Sequence, residues 1–300
     1  MIFAAVAALA LAAEPATAVT IDPSHRLIEG IATDGRTIWA SSLIDRQILE
    51  CRKRCRTIAT LPEGLHPFAI AWDNKWQRLW VAADCPPGVP FIKACERGAL
   101  LALDRAGRTR SRISLSAGSF HPGDVSASGG RVFASDSQNG AVYRLLPSGQ
   151  ALSALVAPGV GKSGQGSALD RSGKKLIVAD YSQGFASIDL ATGERTLLPR
   201  QDGKPLRGVD GLTRCGDTIF GIYNGAAPGR LLTVSMRPGG IEYGELIDGL
   251  ELPDPTQVAF DGKRLLVVSD SGWERAGKGL PRTSGAPILA IPLDKDCKPL

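Results

Sequence analysis

QGSALDRSGKKLIVAD, which starts at Gln165, is the stretch that decides the fold. A polar residue and a glycine lead into a short apolar run. A turn built on Asp170, Ser172 and Gly173 follows, and a second apolar run ends on Asp180. Two runs of this length joined by such a turn read as a β-hairpin. The pattern recurs as EGIATDGRTIWASS from Glu29, FAIAWDNKWQRLWVAAD from Phe68 and DVSASGGRVFASD from Asp124, then as DGLTRCGDTIFGIYN from Asp210 and TQVAFDGKRLLVVSD from Thr256. The starts are 39, 56, 41, 45 and 46 residues apart. That is the period of a four-stranded propeller blade.

The residues between the hairpins supply the outer strands. Third strands are expected at 98–103, 140–146, 184–190, 229–235 and 286–293, and fourth strands at 56–61, 111–115, 152–157, 195–198 and 242–247. The sixth unit lacks a fourth strand, because the chain ends soon after Leu293. Residues 18–21 fill that gap and close the ring, which removes the unpaired edges an open propeller would expose. The expectation is one all-β domain over residues 19–300: a six-bladed β-propeller with four-stranded antiparallel blades, closed by the N-terminal strand.

Residues 2–13 are unbroken apolar sequence, and Ala16-Thr17-Ala18 is a small-x-small cleavage pattern. Residues 1–18 therefore read as a signal peptide of an exported protein, periplasmic or secreted. The stretch is too short to span a bilayer as an anchor. Six cysteines fit an oxidising compartment. In the propeller frame Cys51 and Cys55 straddle the outer hairpin of blade 1. Cys85 and Cys95 tie off a long loop of blade 2. Cys215 and Cys297 fall on one face of neighbouring blades, so their bridge would brace the closure. The formal charge is +5, and removing Glu14 with the leader makes it +6. The only dense basic run is Arg52-Lys53-Arg54, with Arg56 behind it, and no basic stripe interleaved with aromatics marks a nucleic-acid partner. Oligomeric state is not readable from these patterns.

Aligned on their shared register, the inner strands begin with Glu29, Phe68, Asp124, Gln165, Asp210 and Thr256. In a propeller these positions rim one mouth of the central channel. Carboxylates gathered there need a cation or must hold protons, because like charges at close range cannot all ionise. Hard oxygen donors suit Ca²⁺ first, with Mg²⁺, Mn²⁺ or Zn²⁺ as alternatives. The second strands end at the same mouth, on Asp84, Asp136, Asp180, Asn224 and Asp270. Asp and Asn at such ends serve mainly as turn caps; Asn224, in Tyr223-Asn224-Gly225, is the exception proposed for the site.

These residues resemble the senescence-marker-protein/gluconolactonase group of six-bladed propellers. Its metal is held by a Glu before Gly on blade 1, an Asn before Gly on blade 4 and an Asp before Gly on blade 5. Here Glu29-Gly30, Gln165-Gly166 and Asp210-Gly211 stand at the matching places, and Asp124 takes the place of a polar residue near the substrate. Gln165 is one methylene longer than the family's Asn, and Asp124 adds a charge where an amide is usual. The resemblance implies Glu29, Gln165 and Asp210 as ligands of a divalent cation. Asp210 would also be the general base, and Asp124 and Asn224 would be further ligands or substrate contacts, in hydrolysis of a small lactone or ester.

Two loops, 84–97 and 271–285, overhang the same mouth; Trp273 belongs to the substrate side, and Lys93, Arg275, Lys278 and Arg282 would greet an acidic substrate. His66, before Pro67, is placed like the channel-mouth histidines of the propeller lactonases related to paraoxonase. Gly161-Lys162-Ser163 is not a phosphate loop, since the earlier glycine would fall on Val156. No HExxH, GxSxG or GxGxxG occurs. Two other classes stand beside the hydrolase. One is a non-catalytic propeller that binds a ligand or protein with a structural ion. The other is a quinone-type redox propeller, for which no cofactor signature is present.

Overall fold

The computed structural model describes residues 15–300. Six antiparallel four-stranded sheets are arranged in sequence order. Their inner strands are Ile28–Thr33, His66–Asp73, Pro122–Ser128, Gly164–Leu169, Val209–Cys215 and Val258–Phe260. The predicted six-bladed propeller is the observed fold. The sole helix among the described residues is the short Trp273–Gly277, and no described helix is long and apolar enough to cross a membrane.

Each blade buries apolar side chains on both faces, so the core lies between blades. Six clusters mark the six interfaces. Trp39, Leu79 and Leu101 pack between blades 1 and 2, with Trp39 stacked on Trp72 at 4.7 Å. Trp80, Val125 and Val132 join blades 2 and 3; Phe133, Val178 and Ile188 join 3 and 4. Phe185, Leu212 and Val234 fill the next interface, and Phe220, Val267 and Ile291 the one after. The sixth cluster joins Val19 and Ile21 to Ile288 of blade 6 and to Ile31 and Leu49 of blade 1.

That last cluster is the closure. Blade 6 has the order Val258–Phe260, Arg264–Val268, Ala286–Pro292, then Ala16–Ile21 from the opposite end of the chain. The register runs from Ala16 opposite Ala290 to Ile21 opposite Ala286. The closing strand thus begins at Ala16, before the 18–21 read from sequence, so cleavage after Ala18 would cut within it. Residues 1–14 of the expected signal peptide lie outside the described residues.

The three expected disulfides form: Cys51–Cys55, Cys85–Cys95 and Cys215–Cys297. Three such bonds and no free cysteine point to an extracellular or periplasmic setting. Cys215 ends the inner strand of blade 5, and Cys297 lies beyond the third strand of blade 6.

The Cys215–Cys297 bond spans 82 residues. Closing a loop of that length removes unfolded-state entropy, and loss of a native disulfide commonly costs about 2–4 kcal/mol. The double variant Cys215→Ser/Cys297→Ser is expected to lose about that much unfolding free energy, seen as a lower urea midpoint. An unchanged midpoint would mean that β-pairing at Ala16–Ile21 alone holds the ring.

Candidate functional site

The inner strands are not regular where they approach the channel mouth. In blades 1 to 5 the pairing of the first and second strands slips between Ile28 and Ile31, Pro67 and Ala69, Pro122 and Asp124, Gly164 and Ser167, and Val209 and Leu212. Glu29, Phe68, Gly123, Gln165 and Asp210 sit within these irregularities. A β-bulge re-aims side chains that regular alternation would send into a blade face. The freed backbone is answered by neighbouring hydroxyls: Ser41 Oγ accepts from Gly30 N at 2.7 Å, Ser135 Oγ donates to the Gln165 carbonyl, and Thr256 Oγ1 to the Glu29 carbonyl.

The glycine after each site residue has a steric cause. A Cβ on Gly166 would lie 2.4 Å from Leu212 N of the next blade, and one on Gly211 would lie 2.1 Å from Gln257 Oε1. The inner strands converge so closely here that only a hydrogen fits. The dipeptides Gln165-Gly166 and Asp210-Gly211 are therefore one device: a polar side chain delivered to the channel from a backbone in contact with its neighbour.

A cavity of about 410 Å³ opens at this mouth, lined among others by Glu29, Phe68, Gln165, Tyr181, Asp210, Asn224 and Trp273. Five of the sequence-predicted residues therefore share one space: Glu29, Gln165, Asp210, Asn224 and Trp273. Trp273 Nε1 donates to Glu29 Oε2 at 2.5 Å. Asn224 Nδ2 donates to Asp210 Oδ2 at 2.9 Å and to the Pro255 carbonyl at 3.0 Å. Two acceptors fix the amide's orientation, and Asn224 Oδ1 is left buried with no partner.

Asp124 is placed one layer deeper. It faces the channel beyond the mouth, a space of about 340 Å³, together with Gln257. Gln257 Nε2 donates to Asp124 Oδ2 at 2.5 Å. Blade 6 thus sends Gln257, not Thr256, to the channel, one residue off the register read from sequence. Thr256 instead uses its hydroxyl on the blade 1 bulge. His66 does not line the mouth either. Its Nδ1 meets the Leu43 carbonyl at 2.9 Å, and burial holds its pKa below the usual value.

Asp136 and Asp180 cap their turns as expected, accepting from Gln138 N and Asn139 N and from Ser182 N and Gln183 N. Tyr181 and Asp254 are polar lining residues that the sequence reading did not single out. Tyr181 follows the Asp of a turn cap, and Asp254 lies in a loop with no repeat counterpart. Both line the cavity. Asp254 Oδ2 accepts from Ser271 Oγ and Gly272 N, and so anchors the loop that carries Trp273. Two of that loop's cations are committed elsewhere: Arg282 is buried, donating to the carbonyls of Asp270, Ser271 and Ser284, and Lys278 pairs with Glu274. Lys93 and Arg275 do not line the cavity. The expected greeting of an acidic substrate by these residues is not what the structure provides.

The site is therefore an excess of carboxylate without a facing cation. Burial, and then the charge of Asp210, push Glu29 well above the usual range. The same two causes raise Asp124 to about 8, and burial raises Asp210 to about 7. Among the described residues the only trio of acidic, His or Cys ligand atoms within 4.8 Å of one another is Asp84, Cys85 and Cys95, whose sulfurs are joined in a disulfide. Glu29, Asp124 and Asp210 stand wider apart than that.

No family model and no curated protein matches this chain. Solved structures do. A gluconolactonase from Xanthomonas campestris is 18% identical with a TM-score of 0.60, over 90% of this chain and 86% of that one. A protein provisionally assigned as a gluconolactonase is 17% identical with a TM-score of 0.59, over 88% and 89%. A PQQ-bound aldose sugar dehydrogenase from Streptomyces coelicolor is 12% identical with a TM-score of 0.65, over 92% and 96%. At such identities the likeness is one of fold.

Asp124 and Asp210 both hold protons more tightly folded than unfolded, where an Asp titrates near 3.8. The stability from their protonated forms is complete below that value and is lost as pH rises through about 7 and about 8. In protein stripped of divalent cations by a chelator, the melting temperature is expected to fall between about pH 5 and about pH 9. Asp124→Asn should flatten the fall. A melting temperature that climbs over this range would show the carboxylates to be ionised and compensated.

Proposed function

We propose that this chain is a hydrolase of the lactonase type and that the mouth cavity is its active site. The observation that carries the reading is the set of carboxylates and amide oxygens converging on one cavity that no basic side chain lines. The gluconolactonase-like neighbours support the same reaction class at the level of fold.

The donor set fits a hard divalent cation. It offers carboxylates at Glu29 and Asp210, an amide at Gln165, and an Asn224 oxygen that is buried and unclaimed. Oxygen-only donors of this kind favour Ca²⁺, with Mg²⁺, Mn²⁺ and Zn²⁺ as alternatives. When bound, such a cation polarises an ester carbonyl and makes water easier to deprotonate.

The chain's own residues supply the rest. Asp210 accepts the proton of the attacking water, and the Asn224 amide holds its carboxylate in place. The water oxygen bonds to the carbonyl carbon, the ring C–O bond breaks, and the released alkoxide takes up a proton. One lactone and one water give one hydroxy acid. Trp273 fixes Glu29 through its indole N–H and covers one side of the cavity.

Removing a general base lowers turnover by about 10²–10⁴-fold. Asp210→Asn is expected to lose lactone hydrolysis on that scale while keeping its far-ultraviolet circular dichroism, and to lose a divalent ion that the wild type holds at about one per chain. Elemental mass spectrometry and a lactone assay with added Ca²⁺, Mg²⁺, Mn²⁺ or Zn²⁺ check both. No bound ion and no hydrolysis in wild type would leave a non-catalytic binding propeller as the better account.

A further inference from the structure

The cavity that hosts this chemistry has two unlike walls. Blades 3 to 5 contribute polar groups, among them Gln138, Ser163 and Tyr181. The opposite wall is apolar: Phe68 from the blade 2 bulge, Pro86 and Val89 from loop 84–97, and Trp273. This wall is built rather than incidental. Cys85–Cys95 closes the loop that carries Pro86 and Val89. Phe91 of the same loop packs on Trp273, with ring centroids 5.6 Å apart. The indole N–H of Trp273 is committed to Glu29, so the ring has one orientation and sits directly beside the carboxylates.

Charge points the same way. No Lys, Arg or His lines the cavity. Arg282 of the overhanging loop is committed to backbone carbonyls and to Asp270, Lys278 to Glu274, and Arg275 does not line the cavity. A substrate bearing a carboxylate or phosphate would enter a field of buried acids with nothing to offset its charge beyond one cation. A polyhydroxylated sugar lactone could pair hydroxyls with Gln138, Ser163 and Tyr181 on one wall, but those on its other side would lie unpaired against Phe68, Val89 and Trp273, and an unpaired buried hydroxyl discriminates strongly.

We infer that the site selects neutral lactones with an apolar substituent, the ester group lying at the carboxylates and the substituent on the Phe68–Val89–Trp273 wall. This rests on the lactonase reading above. The wall adds recognition by burial, at about fourfold in kcat/KM for each methylene removed from water.

The test has two arms. In the first, wild-type protein with Ca²⁺ is assayed on δ-valerolactone, δ-nonalactone and glucono-δ-lactone. The alkyl lactone is expected to exceed both others in kcat/KM by at least about tenfold. Val89→Ser should shrink the ratio of alkyl to unsubstituted lactone. In the second arm, calorimetry measures binding of the matching non-hydrolysable δ-lactams to Asp210→Asn, and the butyl-substituted lactam is expected to bind tightest. Hydrolysis with glucono-δ-lactone preferred would overturn the substrate class and leave the lactonase reading standing. Absence of hydrolysis with tight binding of the alkyl lactam would overturn the lactonase reading and retain the ligand class. Equal or stronger binding of the polyhydroxylated lactam would overturn the ligand class.

Discussion

Every blade of this protein is apolar on two faces, and a sheet with two apolar faces needs a neighbour on each side. That requirement can be met for all six blades only if the ring closes. The strand Ala16–Ile21 meets it by pairing with Ala286–Pro292, joining the two ends of the chain in one sheet. The cluster of Val19, Ile21, Ile288 and Ile31 then completes an uninterrupted circuit of interblade packing. Closing six wedge-shaped sheets leaves a narrow axial channel, and the rest of the site follows from that crowding.

At the axis the inner strands come nearly into backbone contact. Side chains cannot alternate freely there, so the strands bulge and place glycine where the next blade presses. The same bulges deliver Glu29, Gln165 and Asp210 to one cavity. Their carboxylates are costly to desolvate, and no Arg or Lys follows them in. Structural carboxylates elsewhere in this chain are served locally, as Asp104 is by Arg108 and Arg110. The contrast is between acids of the channel, which no basic side chain meets, and an acid such as Asp104, which two arginines answer.

The loops add a second layer of control. Asp254 gathers the start of the loop that holds Trp273, and Arg282 draws the far end of the loop onto backbone carbonyls. Arg282 thus acts as a structural clamp instead of a charge offered to substrate. The result is a cavity with an apolar side and no positive side chain in its lining.

Much of this was legible without coordinates. The hairpin repeat is local, since turn chemistry and apolar alternation act within about 15 residues, so the six blades, their order and the need for a closing strand follow from the chain alone. The three disulfides follow as well once blades are counted. The dipeptides Glu29-Gly30, Gln165-Gly166 and Asp210-Gly211 mark the mouth because glycine there is a steric demand. Other features depend on contacts between blades and leave no local trace. Blade 6 presents Gln257 instead of Thr256 because its inner strand begins late, at Val258. Asp124 lies below the mouth because its bulge exposes Gly123 there. His66 is taken by the Leu43 carbonyl of another blade. Sequence by itself determined the blades and, in five of the six, the residues that could reach the axis, because period and turn chemistry are short-range. Only the tertiary structure decided which of them share a cavity and which charges stay unanswered, because depth along the channel and partner choice are set by blades that pack together from distant parts of the chain.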